Sequence, residues 1–289
     1  MKKIKLLILS IMVISVLGGC SFKNNSLENA KIYTTIYPIE YIISYLYGEN
    51  STIESIYPDG VDLDNYELTS KQVDNYSTSD LFVYIGLGKE KDIAKKLLNK
   101  NDKLLIIDAT YGLNYNEDIK ELWLAPNNFL MLVKNIKSSL NEYLDNSFKS
   151  EDVNKKYDEI YEKVSWVDAE LRNIARSAKE NDNNTIIVTD NLFKYLESYG
   201  FNVISLEDIE KSGSENAIND IKNKFKNSTY KKILTLNSIE NSELVKELDT
   251  KYKGDIVLLN DIVTNSDTAS DYISIQYENI TVIRDYFNI

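Results

Sequence analysis

Histidine is absent from all 289 residues. That gap removes the Ser–His and Cys–His pairs that activate hydrolase nucleophiles, and with them the imidazole ligands of ordinary zinc sites. Cysteine occurs once, at Cys20, so neither an intrachain disulfide nor a paired-thiolate metal site can form. With only ten glycines, the chain contains no G-x-G-x-x-G and no P-loop, and it has no zincin motif either. Bases are the minority, 33 Lys and Arg against 45 Asp and Glu for a net charge of −12, which excludes the clustered basic surface that nucleic acid requires. Three prolines and twenty-one tyrosines describe a well-structured globular chain. A pair of carboxylates could still hydrolyse glycosides, but so acidic a chain supplies such pairs by composition alone. No enzyme is predicted.

What is present begins with MKKIKLLILSIMVISVLGGC. Lys2, Lys3 and Lys5 lead into a twelve-residue apolar run, Leu6 to Leu17, followed by Gly18, Gly19 and Cys20. A membrane span needs ~20 residues, so the run suits a secretion signal, with a buried N-terminal helix or a permanent anchor as the alternatives. The LGGC ending resembles the bacterial lipobox, which implies cleavage before Cys20 and acylation of its thiol. Residues 1–19 are therefore expected to be a lipoprotein signal peptide, and 20–30 a polar lipidated tether. Acyl chains at about 0.8 kcal/mol per buried methylene would hold the protein on the outer face of the bacterial cytoplasmic membrane without spanning it. Removal of residues 1–19 takes three lysines and no acid, leaving 30 bases against 45 acids and a net charge of −15. Such acidity fits solubility and is compatible with cation capture.

Past residue 30, strand-like and helix-like segments alternate. KIYTTIY, STIESIYP, DLFVYIGLG and KLLIID read as strands, separated by helical stretches; TIIVTD, FNVISLE, KKILTLN and DIVLLND repeat the alternation later. Alternation of this kind implies crossover connections and mainly parallel sheets flanked by helices, an α/β fold. Residues 127–149 look helical. Residues 150–181 look more strongly so, with Val153, Tyr157, Ile160, Val164, Val167, Leu171, Ile174 and Ala178 three or four apart and Ser150 placed to cap the start. A helix of that length would reach roughly 45 Å. It is either a coiled-coil segment or a rigid spacer between two α/β lobes at 31–149 and 182–289.

Ligands of open parallel sheets bind beyond the carboxyl ends of strands. The acids there are Asp62 and Asp64 after STIESIYP, Asp190 after TIIVT and Asp261 after DIVLLN, while Glu121 stands beside LWLAP. Each taken singly is an ordinary cap or loop acid. Their joint placement is the stronger signal.

Several segments together, TTIYPIEYIISYLYGEN, SIYPDGVDLDNYELTSKQV, DLFVYIGLG, LWLAPNN, VTDNLFKYLESYG and SDTASDYISIQYENI, resemble the zinc/manganese solute-binding lipoproteins of ABC transporters in order and spacing over residues 31–289. The resemblance implies two α/β lobes joined by one long rigid helix, a divalent cation held in the cleft between them, and an ABC permease as partner. It also implies four ligand positions. The family's first ligand histidine falls on Asp64, with Leu63 in place of the preceding proline. The second, two residues before a tryptophan, falls on Glu121. The third, histidine or glutamate in the family, falls on Asp190, and the fourth, an acid, on Asp261.

An all-oxygen set suits hard ions such as Mn²⁺, Mg²⁺ or Ca²⁺ better than Zn²⁺. Four carboxylates on one dication leave an excess charge of about −2, which calls for a nearby base, a proton or waters. The competing explanation is a degenerate site. The expectation is a monomeric, extracytoplasmic solute-binding lipoprotein that delivers a divalent cation to a permease, Mn²⁺ or another hard ion in preference to Zn²⁺. The alternative is a surface lipoprotein of the same fold acting in interaction or adhesion, or binding a different solute.

Overall fold

A computed structural model describes residues 27–58, 61, 65–113, 115, 118–144, 146–263 and 270–289. The expected signal peptide, Cys20 and the tether as far as residue 26 lie outside the described residues. The tether ends sooner than the polar sequence suggested. Leu27 is buried in the core and Ala30 already opens the first strand, because five parallel pairs in register with the neighbouring strand begin at Ala30 opposite Ser51.

The first sheet contains β1 (Ala30–Thr34), β2 (Ser51–Ser55), β3 (Leu81–Tyr84) and β4 (Leu105–Asp108), in the order β2-β1-β3-β4 and parallel throughout. β3, the apolar LFVY, is buried along its length, as a central parallel strand must be. β2, the polar STIES, alternates between half-buried and exposed at an edge. Helices α1 (Tyr37–Tyr47), α2 (Ser70–Tyr76) and α3 (Glu90–Lys100) make the crossovers. Thr69 starts α2 with a capping box, its hydroxyl accepting from Gln72 N–H while Gln72 Oε1 accepts from Thr69 N–H.

Three helices follow: α4 (Glu121–Leu124), α5 (Pro126–Tyr143) and α6 (Ser147–Glu180). The helical stretch expected over 127–149 is interrupted, because Leu144 and Asn146 turn to extended backbone. The cap of α6 is accordingly Asn146, whose Oδ1 accepts from Phe148 N–H at 2.9 Å. Ser150 is not the cap; its N–H already donates to the Asn146 carbonyl, which places it inside the first turn. α6 runs 34 residues and buries the expected apolar stripe from Val153 to Ala178, with Tyr157 half-buried at its edge.

The second sheet repeats the first. β5 (Thr185–Val188), β6 (Asn202–Ser205), β7 (Lys232–Leu236) and β8 (Asp255–Leu259) are ordered β6-β5-β7-β8, again all parallel. A 3₁₀ segment (Asn191–Tyr199), closed by Gly200 at φ 107°, and helices α7 (Leu206–Ser212), α8 (Glu215–Lys226), α9 (Glu243–Tyr252) and α10 (Tyr272–Tyr286) surround it. α6 packs on α1 and α5 on one side and on α10 and the 3₁₀ segment on the other. One continuous apolar core therefore runs from the first sheet through α6 into the second. At about 1.5–3 kcal/mol per fully buried aliphatic side chain, that stripe is what fixes the spacer in place.

Candidate metal centre

α4 is a single turn, and its brevity follows from the sequence. Pro126 disfavours helical backbone at the residue before it, so Ala125 turns extended (φ −82°, ψ 121°) and the chain restarts as α5. Glu121 is left at the head of α4, where Oε1 accepts from Asn128 Nδ2 of α5 at 3.0 Å. α4 packs against the 3₁₀ segment of the other sheet, and Asp190 caps that segment, Oδ1 accepting from Leu192 N–H at 2.8 Å. Burial pushes the half-buried Asp190 carboxyl above its ordinary value; the Leu192 N–H opposes this, Glu207 and Asp118 add to it, and Lys120 counters it. Desolvation first, and then the Glu121 charge, push the phenol of Tyr195 upward on the facing 3₁₀ segment.

Asp261 reaches the same seam through Trp123. The buried indole donates from Nε1 to the Asp261 carbonyl at 2.8 Å, across the two halves of the chain. Asp261 Oδ1 accepts from Val263 N–H at 3.2 Å, and the Val263 carbonyl accepts from Tyr37 N–H at the start of α1 at 3.1 Å. Between them Ile262 sits at φ 59°, a left-handed conformation that costs a β-branched residue on the order of 1–3 kcal/mol. Its fully buried side chain and the bond from its N–H to Asn260 Oδ1 hold it there. α10 closes the seam from behind: Tyr272 stacks on Phe129 at 3.9 Å between ring centroids, and its hydroxyl and Gln276 Nε2 both donate to the Trp123 carbonyl.

The elements carrying Glu121, Asp190 and Asp261 thus meet at one interlobe seam. Among the described residues, no group of three or more acidic side chains stands close enough to hold a metal ion. Asp64, the remaining expected ligand, and Asp62 beside it lie outside the described residues. The seam also gathers charges that no sequence motif marks, Asp118, Lys120 and Glu207 around Asp190. Lys120 adjoins Glu121 in sequence, and that adjacency was its available signal. Asp118 and Glu207 gave none, because nothing in a linear pattern shows which loops will face each other.

Two sheets of identical strand order, bridged by one long helix and meeting at an acidic seam, define a two-lobed α/β solute-binding protein. The model of the family "Zinc-uptake complex component A periplasmic" (ZnuA) matches residues 32–286, and the chain belongs to this family of metal solute-binding proteins of ABC importers. It is 26% identical over 268 residues to the manganese ABC transporter substrate-binding lipoprotein PsaA of Streptococcus anginosus, covering 83% of this chain and 84% of that one. It is 25% identical over 200 residues to the iron-binding protein YfeA of Yersinia pestis, covering 64% of this chain and 62% of YfeA, less than two thirds of that protein's length. The zinc-bound ZnuA-like domain of Streptococcus pneumoniae AdcA has the same fold, with a TM-score of 0.70 at 21% identity over 90% of this chain and 100% of that domain.

Proposed function

We propose that the protein is the extracytoplasmic solute-binding lipoprotein of a divalent-metal ABC importer, anchored through lipid at Cys20, and that Asp64, Glu121, Asp190 and Asp261 form its cation site. The observation that carries it is the meeting of α4 with the 3₁₀ segment, which sets Glu121 and Asp190 at the starts of facing elements, with Trp123 tying the Asp261 turn to them. Capture then exchanges the ion's water shell for carboxylate oxygens. Such a donor set favours Mn²⁺ or another hard ion over Zn²⁺. Lys120 supplies the nearby base that four carboxylates on a dication call for. The loaded protein, a monomer, delivers the ion to the permease.

A second reading is favoured by one observation, the lack among the described residues of three acidic groups spaced for a metal. It is a lipoprotein of this fold whose site has decayed and whose surface serves interaction or adhesion, or which binds a different solute.

Titration calorimetry and thermal unfolding of the full chain in detergent, against Mn²⁺, Zn²⁺, Ca²⁺ and Mg²⁺, separate the two. Saturable heat and a rise in Tm with Mn²⁺, both lost in an Asp190→Asn/Asp261→Asn variant, are expected. Neither heat nor a Tm shift with any of the four ions removes the importer function and leaves the second reading.

A further inference from the structure

The turn between β3 and α3, Ile85–Lys89, is held by two acids from different elements. Ile85 N–H donates to Glu90 Oε2 at 2.7 Å, and Gly86 N–H donates to Asp108 Oδ1 at 3.0 Å. Gly86 is required there, since a Cβ would stand 1.9 Å from Asp108 Oδ2. Asp108 is further engaged by the N–H and hydroxyl of Thr110, at 2.8 and 2.7 Å. Glu90 is placed differently. It is only 8% exposed, and among the described residues no base forms an ion pair with it. It lines a cavity of about 90 Å³ together with Tyr57, Ile85, Lys89, Ile119 and Trp123. Two of those walls belong to segments that carry expected ligands, because Tyr57 leads into Gly60–Glu67 and Trp123 follows Glu121.

The groups facing this carboxyl are Tyr57 beyond β2, Tyr84 on β3, Asp108 on β4, Lys89 at the head of α3 and Thr35 after β1, whereas the α4 side presents Ile119 and Trp123. The Thr35 hydroxyl is buried without a hydrogen-bond partner of normal geometry. Burial pushes Glu90 up to about 7; the Ile85 N–H and the nearby Thr35 hydroxyl oppose the rise, and Asp108 adds to it. The missing histidine gives this weight. In a chain without imidazole, an acid enclosed in a low-dielectric cavity is the kind of group left to exchange a proton near neutral pH.

We propose that Glu90 is a proton-linked positioning residue of the cation site: the arriving cation favours its carboxylate, and the ionised acid holds the Ile85 turn and the Trp123 wall. In this step the Glu90 O–H bond breaks, the proton passes to water, and no electrons are exchanged. The carboxylate is the stronger acceptor for Ile85 N–H. The linkage rests on the proposed function, whereas the titration of Glu90 can be tested without any metal.

Trp166→Phe leaves Trp123 as the sole tryptophan. In the metal-free full chain carrying that change, Trp123 emission is expected to shift with a midpoint near pH 7. Glu90→Asp should retain a shift at a displaced midpoint, and Glu90→Gln should abolish it. No shift in the Trp166→Phe protein, or an unchanged midpoint in Glu90→Gln, overturns the inference. The first of these needs no substitution at position 90, so a misfolded variant does not shelter it. Mn²⁺ affinity measured between pH 6 and pH 8 tests the linkage, and the rise should be at least about fivefold steeper in the unmutated chain than in Glu90→Gln, the low end of ordinary site–site coupling. Equal rises overturn the inference and spare the importer function. Absence of Mn²⁺ binding at every pH overturns the importer function and the linkage together.

Discussion

Glu90 is buried and Asp190 half-buried, and the charge around the two acids differs. Asp190 has Lys120 near it at the seam, whereas Glu90 has a buried turn and a second acid, Asp108. Glu90 therefore carries a stability cost whose sign is fixed. Its value is raised in the folded state from 4.5 to about 7, so the folded chain keeps a proton that the unfolded chain has lost. The contribution to stability is complete below the unfolded value and is lost as pH rises through the folded one. At one pH unit per ~1.4 kcal/mol, the loss by pH 8 amounts to roughly 3 kcal/mol. Glu90→Gln keeps an acceptor for Ile85 N–H and abolishes the titration. Urea unfolding of the metal-free chain should find the variant gaining on the unmutated protein by about 1–3 kcal/mol between pH 5 and pH 8. A constant difference across that range would show that Glu90 does not titrate there.

At the scale of elements, α6 and α4 illustrate opposite uses of capping and interruption. α6 is long because its apolar stripe never breaks, and it starts where Asn146 offers a side-chain acceptor. Asn146→Ala should cost about 1 kcal/mol of stability, whereas Ser150→Ala, inside the first turn, should change it by no more than ~0.5 kcal/mol. Thermal unfolding of the two variants side by side decides between the caps. α4 is short because Pro126 ends it, and that shortness brings Glu121 to the head of a turn facing the other lobe. The apolar period of α6 was legible from end to end because a core-facing helix writes its burial into its spacing. Its first residue was not legible, since Asn146 and Ser150 are both good capping residues and only backbone geometry chooses one.

For the molecule as a whole, the connection between lobes is more than the spacer helix. Trp123 donates from its indole N–H to the Asp261 carbonyl and accepts at its own carbonyl from Tyr272 and Gln276, so this one residue makes three of the bonds that tie the second lobe to the first. Trp123→Phe leaves the half-buried Asp261 carbonyl without its indole donor, and losing such a hydrogen bond costs about 0.5–1.5 kcal/mol. Hydrogen exchange should then quicken at Ile262 and Val263, while secondary structure by circular dichroism stays as it was. Unchanged exchange at Val263 would mean that the Trp123–Asp261 bond does not hold this turn. The strained Ile262 lies in this same turn, where a small shift in the seam is felt directly by the backbone next to Asp261.

The sequence by itself determined the parallel α/β alternation, the long apolar stripe and the acidic residues beyond strand ends, because strand and helix periods and capping preferences are local properties. The family's motifs were equally readable, and Trp123 among them proved to be one of the residues that join the halves. The tertiary structure alone decided which acids share a seam, that Lys120 and Asp118 stand by Asp190, and that Glu90 is enclosed with no ion-pair partner among the described residues. Those are long-range matters: a carboxyl's environment is made by side chains far away in the chain, and no local pattern of charge or hydrophobicity records which of them will be its neighbours.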